Sequence, residues 1–379
     1  GLMSVARVCH LSTVHPPRDG RIFRKECTSL AKRGADVWFI GAQDGDEIDS
    51  GVHVVGIGKA TNRIDRLTRR QVKAWKALER VNPDLVHIHD PELIPMVLAW
   101  VKLRGRAAVF DAHEDLVAQI DSKAYLSERV RPLARMVAKT LVTLADKCYD
   151  GIIAVTPAVA KGFTHSNKRL VHNYPLLSGF HLPVDVEKVP DRVVYVGMLS
   201  GGRQTDKMFE LADELGGKAT LVIAGKPDPE VAHLFDELDK HPSVDYRGTI
   251  PGDQVPDLLG SSVAGLMFMR PDKNHLDALP TKVFEYMAAG IPFISSNLPA
   301  LVESLEKWDC GVFVDTVQDS SEAQRAAVEL MADPQRCHEM GVRGRRAIEE
   351  EFNFEADVPA LIEVEQHALK RPDSRVVEG

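Results

Sequence analysis

Residues 7–40 read RVCHLSTVHPPRDGRIFRKECTSLAKRGADVWFI. The apolar stretches Arg7–Leu11 and Asp36–Ile40 read as short buried strands, and Phe23–Arg33 between them reads as a helix. The same alternation continues outward. Strands are expected at His53–Gly56, Leu85–His89, Ala107–Asp111 and Gly151–Val155, and helices at Arg66–Arg80, Pro91–Arg104 and Ser127–Lys147. Strands that take turns with helices argue for parallel βαβ units in a doubly wound sheet. Asn173–Pro190 (NYPLLSGFHLPVDVEKVP), with three prolines and a glycine, breaks the pattern and reads as a connection.

A second series then begins. Its expected strands are Val193–Val196, Ala219–Ala224, Val244–Tyr246, Val263–Met267, Phe293–Ser295 and Gly311–Val314. Its helices are expected at Lys207–Leu215, Pro229–Leu238, Pro256–Leu259, Pro280–Ala289, Ser320–Met331 and Pro334–Glu351. The fold class is therefore α/β, with two tandem Rossmann-like domains facing across a cleft. The expected bounds are 1–175 for the first domain, 176–191 for the linker and 192–355 for the second domain. A last helix, within 356–371, is expected to cross back to the first domain, and the tail after Arg371 to fray. In open α/β sheets a ligand lies beyond the carboxyl ends of the strands, so the strand ends are where site residues are sought.

Composition narrows the class. With 379 residues, 44% hydrophobic and 27% charged, the chain suits a soluble protein with two ordinary cores. No apolar run approaches the roughly 20 residues of a membrane span, and Met3 follows Gly1 and Leu2 as the expected start, without a signal peptide. The five scattered cysteines form no CxxC pair, which favours free thiols in a reducing compartment over a metal site. A cytoplasmic protein is expected, with the inner membrane face as a second place for it. Charge is uneven: residues 1–185 carry +7 and the rest −15, within a net −8. Arg63, Arg66, Arg69, Arg70, Lys73 and Lys76 make one basic cluster, and Arg129, Arg131, Arg135, Lys139 and Lys147 another. They read either as solvated helix faces or as a surface for anionic lipid headgroups or an anionic acceptor. Without interleaved aromatics or a nucleic-acid module signature, nucleic acid is not expected.

The stretch Asp277–Pro292, DALPTKVFEYMAAGIP, carries the chemistry of the second domain. Pro280 suits a helix start and Gly290 its stop, while Val283, Phe284, Met287 and Ala288 recur at core spacing. Free amides near Thr281 and Lys282, with the helix dipole and the lysine charge, make an anion site. Glu285, one turn on, would repel phosphate, yet it can accept two hydrogen bonds from a ribose diol. Phosphate beside diol describes a nucleoside diphosphate. The bland reading is an ordinary helix start with a surface ion pair.

These residues also carry a resemblance. Asp277 and Glu285, with seven residues between them, resemble the E-x7-E element of the retaining glycosyltransferases of family 4, which have the GT-B fold. The following EYMAAGIPFISS is similar to that family too. The resemblance implies that Glu285 binds ribose, that Asp277, the shorter acid here, orients the sugar, and that Ala278, Leu279, Pro280 and Thr281 face sugar hydroxyls and phosphate. The segment YVGMLSGGRQTDK (195–207) resembles the family's loop that offers basic residues to the diphosphate. Met198 stands where the family often has a basic residue, so Arg203 takes that role, with Lys207 second and Gly197 giving room to the phosphate. The resemblance also implies that the loop Arg247–Ile250 lies where the family's backbone meets the base.

On the first domain, three polar clusters follow predicted strands: His15, Asp19 and Arg21; His89, Asp90 and Glu92; and Asp111, His113 and Glu114. They resemble segments of a bacterial subgroup that builds surface polysaccharides. The resemblance implies that His113 lies near the donor sugar, and Asp19, Arg21, His89, Asp90 and Glu114 are the acceptor-side candidates. Asp19 and Arg21 either bind acceptor hydroxyls or pair with each other. The implied activity is a retaining hexosyltransferase. It would move sugar from a nucleotide-diphosphate sugar (a UDP-sugar first, GDP-mannose next) to a glycan or lipid-linked acceptor. Lys282 and Arg203 would offset the charge on the leaving diphosphate, so neither a cofactor nor a metal is expected. Two other readings share the fold: a nucleotide-sugar epimerase, which needs no acceptor, and a non-catalytic nucleotide-sugar sensor.

Overall fold

The computed structural model describes residues 3–123, 125–180, 186–273 and 275–378. The chain divides into two compact units, Gly1–Asn173 with Phe354–Gly379, and Tyr174–Asn353. Of the expected connection, residues 181–185 lie outside the described residues. No described helix is long and apolar enough to cross a membrane.

In the first unit, β1 (Ser4–Val5) precedes an eight-stranded sheet. Its strands are β2 (Arg7–Leu11), β3 (Asp36–Gly41), β4 (Glu47–Asp49), β5 (Val52–Gly56), β6 (Leu85–Ile88), β7 (Ala107–Ala112), β8 (Gly151–Ala154) and β9 (Lys168–Leu170). The spatial order is β4-β5-β3-β2-β6-β7-β8-β9, parallel except for the β4–β5 pair. Strands β6, β7 and β8 are buried along their whole length, as parallel strands covered on both faces must be. The order reverses between β2 and β6. That is the topological switch point, and residues just past Leu11 and Ile88 open into its crevice.

Two features here differ from the sequence expectation. The helix expected at Phe23–Arg33 begins earlier, as a wide π-type helix over Gly20–Cys27 that runs into Thr28–Lys32. Arg24 N donates to Asp19 O, five residues back, at 3.1 Å, and Asp19 caps the start by accepting from Arg21 N and Ile22 N. The tail is not frayed. In it, β16 (Ser374–Arg375) pairs in parallel with β1, Val376 N donates to Gln366 Oε1 at 3.0 Å, and the Val376 side chain is fully buried. One buried valine and a strand pair hold a segment whose composition alone reads as loose.

In the second unit the strands are β10 (Arg192–Val196), β11 (Thr220–Ala224), β12 (Val244–Tyr246), β13 (Ala264–Met267), β14 (Phe293–Ser296) and β15 (Gly311–Val314). They are all parallel, in the order β12-β11-β10-β13-β14-β15. This is the dinucleotide-fold order, three strands wound one way from β10 and three the other, with the switch point between β10 and β13. The helix Thr281–Ala288 packs Val283, Phe284, Tyr286 and Met287 into the core. That leaves Lys282 and Glu285 half-covered.

Candidate functional site

Each unit gathers polar groups at its switch point. In the first unit the centre is Asp111, at the end of β7 and fully buried. Arg21 donates to Asp111 Oδ1 from Nη2 (2.9 Å) and Nε (3.3 Å), and His87 donates from Nε2 to Oδ2 at 2.9 Å. Arg21 Nε also lies 3.3 Å from Glu26 Oε2. The π-type turn makes this possible, since its i→i+5 bonding stacks residues five apart. On the far side, His87 donates from Nδ1 to Glu365 Oε2 at 3.0 Å. Glu365 is fully buried on the helix Phe354–Ala368.

From Glu365 a row of histidines leads to the groove. His10 Nε2 lies 3.4 Å from Glu365 Oε2, His10 Nδ1 lies 2.9 Å from His89 Nε2, and His89 Nδ1 lies 3.0 Å from His113 Nε2. Burial disfavours charge on His10, on His89 and on His113, whose pKa falls to about 4 despite the pull of Asp111. His87 goes the other way. Burial alone would lower it, but its hydrogen bonds to Asp111 and Glu365 raise it to about 10. Burial would raise Asp111, yet the Arg21 charge and the His87 hydrogen bond hold it well below the usual range. Burial pushes Glu26 well up, reinforced by the Asp111 charge and opposed by Arg21. Arg21 and His87 are the cations set among the carboxyl groups of Glu26, Asp111 and Glu365.

The hydrogen bonds along the row let the histidines pass one proton order from end to end. With the His10 proton on Nε2, toward the Glu365 carboxylate 3.4 Å away, His10 Nδ1 accepts from His89 Nε2, and His89 Nδ1 accepts from His113 Nε2. Asp111 Oδ1, 3.4 Å from His113 Nε2, supports the same tautomer. His113 is left with a bare Nδ1, an acceptor for a hydroxyl. Ligand-type atoms of His10, Glu26, His87 and His89 lie within 4.8 Å of one another. A metal ion among them would sit against the Arg21 guanidinium and the His87 imidazolium, which already occupy the cation's role.

Asp90 is buried and turned toward its own loop. It accepts from Thr13 N (2.6 Å), from Ser12 Oγ (3.1 Å) and from His15 Nδ1 (2.9 Å). Burial opposes its charge, but the His15 hydrogen bond and the others hold its pKa down, and His15 is raised in turn by Asp90 against its own burial. His15 and His113 face each other with ring centroids 5.2 Å apart. Glu114 is exposed and accepts from Gln119. His15, His89, Asp90, His113 and Glu114 line one groove of about 940 Å³.

In the second unit the side chains converge on Gly197, the residue after β10. A Cβ there would stand 2.7 Å from Lys282 Cε and 3.1 Å from Tyr195 Oη, so the lysine lies in space that a side chain at 197 would make it leave. Lys282 Nζ lies 3.4 Å from Glu285 Oε2. Burial raises Tyr195 to about 12, with the Arg203 charge opposing and Glu285 adding, so both of these charges act on the same hydroxyl. A Cβ on Gly225, after β11, would meet Gly197 O at 1.9 Å, and this close backbone approach fixes the loop. Ile250, Ala278 and Leu279 pack half-buried on the same core cluster as Val196, Pro280 is buried ahead of Thr281, and Asp277 is exposed ahead of the helix.

The expected site residues therefore fall into two sets. Lys282 passes against Gly197 and pairs with Glu285, and the charges of Glu285 and Arg203 both act on the Tyr195 hydroxyl beside them. Lys207 goes elsewhere, donating from Nζ to Gln318 O at 3.0 Å and pairing with Glu210. Arg21, only 5% exposed, does not present itself to an acceptor, and it pairs with Asp111 and Glu26 rather than with Asp19. His89 is likewise buried as a link in the row. The sequence pattern does not single out His10, Glu26, His87 and Glu365. A signal existed for His87, which shares the inward face of HIH with His89 at the two-residue strand period. Glu365 had none.

Comparison with known proteins follows this geometry. The model of glycosyl transferases group 1 matches residues 185–347, and that of glycosyltransferase family 4 matches residues 20–174. Among characterised proteins, the N-acetyl-alpha-D-glucosaminyl L-malate synthase of Bacillus anthracis is 25% identical over 194 residues, 51% of this chain and 44% of that protein. The match thus spans less than half of that relative's length. Among solved structures, Anabaena HepE in complex with UDP-glucose superposes with a TM-score of 0.73 at 12% identity, covering 94% of this chain and 98% of that one. The sucrose-phosphate synthase of Thermosynechococcus elongatus gives 0.69 at 17%, covering 94% and 97%. At these identities the structural likeness carries the fold.

Proposed function

The chain belongs to the family 4 glycosyltransferases with the GT-B fold, and from that premise we propose that it is a retaining hexosyltransferase using a nucleotide-diphosphate sugar. The observation that carries this reading is Lys282 lying against Gly197 at the switch point of the second sheet and paired with Glu285, with the Arg203 charge felt at the adjoining Tyr195 hydroxyl. Lys282 and the amides at the start of Thr281–Ala288 hold the diphosphate, and Glu285 accepts from the ribose diol. Arg203 adds a second positive charge. Asp277 orients the sugar and is not assigned as a base, and the loop at Ile250 takes the base. The complex of HepE with UDP-glucose supports a UDP-sugar as first choice, with GDP-mannose next.

In the proposed reaction the bond between the anomeric carbon and the diphosphate oxygen breaks as the acceptor oxygen attacks from the same face. Charge growing on the leaving diphosphate is met by Lys282, Arg203 and the helix amides. The acceptor's proton passes to the leaving phosphate oxygen, so no enzyme nucleophile and no cofactor enters the step. His113, neutral with a bare Nδ1, accepts from a hydroxyl of the sugar-bearing ligand in the groove of the first unit. Asp90 and Arg21 act through His15 and Asp111 on the acceptor side, where a glycan or lipid-linked glycan of a surface polysaccharide is the proposed acceptor. The proposed location is the cytoplasm and the inner membrane face.

The test has two steps. A nucleoside diphosphate at 100 times its dissociation constant should stabilise the protein by about 2.7 kcal/mol, and UDP should outperform GDP and ADP. The product's anomeric configuration, read by NMR, should match the donor's. An inverted product would contradict retention while leaving the donor site intact.

A further inference from the structure

The groove that holds His15 and His113 does not end at the polar cluster. It continues between the helices Leu116–Ser122 and Arg131–Cys148 along Leu116, Leu133, Val137 and Leu141. The second of these helices is unusual for its length. Of its 18 residues only Ala138 and Ala145 are buried, whereas Leu133, Met136 and Val137 are 57%, 59% and 50% exposed. The spacing of three and four residues puts these three side chains on one face. An amphipathic helix normally turns such a face to the core, and a contiguous exposed apolar patch marks a surface that binds something.

The trough runs on over the same helix. A second concavity of about 660 Å³ is lined by Pro132, Arg135, Met136, Lys139 and Lys147 among others, and it shares Lys139 and Thr143 with the first. The flanking cations differ in how they are used. Arg135 donates to Asp121 at 2.7 Å and Arg131 to backbone carbonyls, so the charge nearest the junction of the two concavities is Lys139.

We propose that this trough seats the aliphatic chain of an amphiphilic acceptor. The hydroxyl-bearing head lies at His15 and His113, an anionic phosphate meets Lys139, and the chain runs along Leu133, Val137 and Met136. Continuity of one groove from histidines to aliphatic side chains sets the order of head and tail, and the basic rim fits an anionic link between them. The inference rests on the transferase reading for the identity of the head, and it narrows the acceptor to a lipid-linked one.

The test is binding of dodecyl phosphate, kept below its micelle concentration, to the full chain by calorimetry, with inorganic phosphate and phosphatidylglycerol vesicles alongside. Saturable one-to-one binding of dodecyl phosphate is expected, with no binding of inorganic phosphate. The double variant Leu133→Asp, Val137→Asp should bind about tenfold more weakly or worse, the scale of losing one buried aliphatic contact. Both positions are solvent-exposed, so the variant should melt with the wild type. Lys139→Glu should also weaken binding. Absence of saturable binding, equal binding by the double variant, or uptake by vesicles without binding of the monomeric amphiphile would each overturn the proposal, the last pointing to a bilayer contact instead. No nucleotide enters the experiment, so its failure is separate from failure of the donor assignment, which the nucleoside diphosphate series reads.

Discussion

Lys282 sits where it does because residue 197 lacks a side chain. A methyl at Gly197 would stand 2.7 Å from Lys282 Cε and 3.1 Å from Tyr195 Oη, and one of them would have to move. Gly197→Ala is therefore expected to cut kcat/KM about as far as Lys282→Ala, each by about 10²–10³, the range for losing one preorganised group that meets developing charge. Glu285→Ala should act differently, weakening nucleotide binding through lost diol contacts. Lys282 and Glu285 are 24% and 22% exposed, so both variants should keep the wild-type melting temperature. Steady-state kinetics with thermal melts checks all three. Much of this was readable in the sequence, because Pro280, Gly290 and the core spacing between them fix the helix that carries the lysine and the glutamate. The role of Gly197 was readable only in outline, since the lysine that fills its space is far along the chain.

At the scale of elements, the helix Phe354–Ala368 reaches the middle of the first sheet through the buried carboxylate of Glu365, besides its ties to Asn167, Arg169 and His172. Glu365 faces His87 and His10 across strands β6 and β2. Glu365→Ala would leave the His87 imidazolium half-paired in the interior, at a cost of about 3–5 kcal/mol, read by denaturant unfolding. The same cluster sets a pH optimum for stability. His87 is raised from 6.5 to about 10 in the folded protein, so its contribution is complete below 6.5 and lost as pH rises through 10. His113 is depressed to about 4, and His10 and His89 are lowered too, so their contribution is complete above 6.5 and lost as pH falls. Melting temperature should peak near neutrality, and His87→Gln should flatten the alkaline limb; an unchanged limb would contradict the assignment. Alternation revealed the sheet, but it could not reveal this cluster. The π-type turn that brings Arg21 to Glu26 has no periodic signature, Glu365 looks like any charge on a helix, and the edge strands Glu47–Asp49 and Lys168–Leu170 are too polar and short to stand out.

For the whole molecule, one topological rule accounts for two sites. Each sheet reverses its strand order beside its first long strand, and each collects its polar groups there: Asp111 with its histidines in one unit, Lys282 with Glu285 and Arg203 in the other. The charge division along the chain, +7 against −15, matches neither site directly. The second unit is the acidic one, yet Lys282 and Arg203 bring positive charge to its switch point, and anion binding follows such local geometry rather than net charge. The central claim is that this second site holds a nucleoside diphosphate. Its most direct test is a thermal-shift titration of UDP, GDP and ADP against the wild type, Lys282→Ala and Glu285→Ala. The account predicts a concentration-dependent rise in melting temperature for the wild type, largest with UDP, and a reduced rise in both variants. No shift with any nucleotide, or an identical shift in all three proteins, would contradict it.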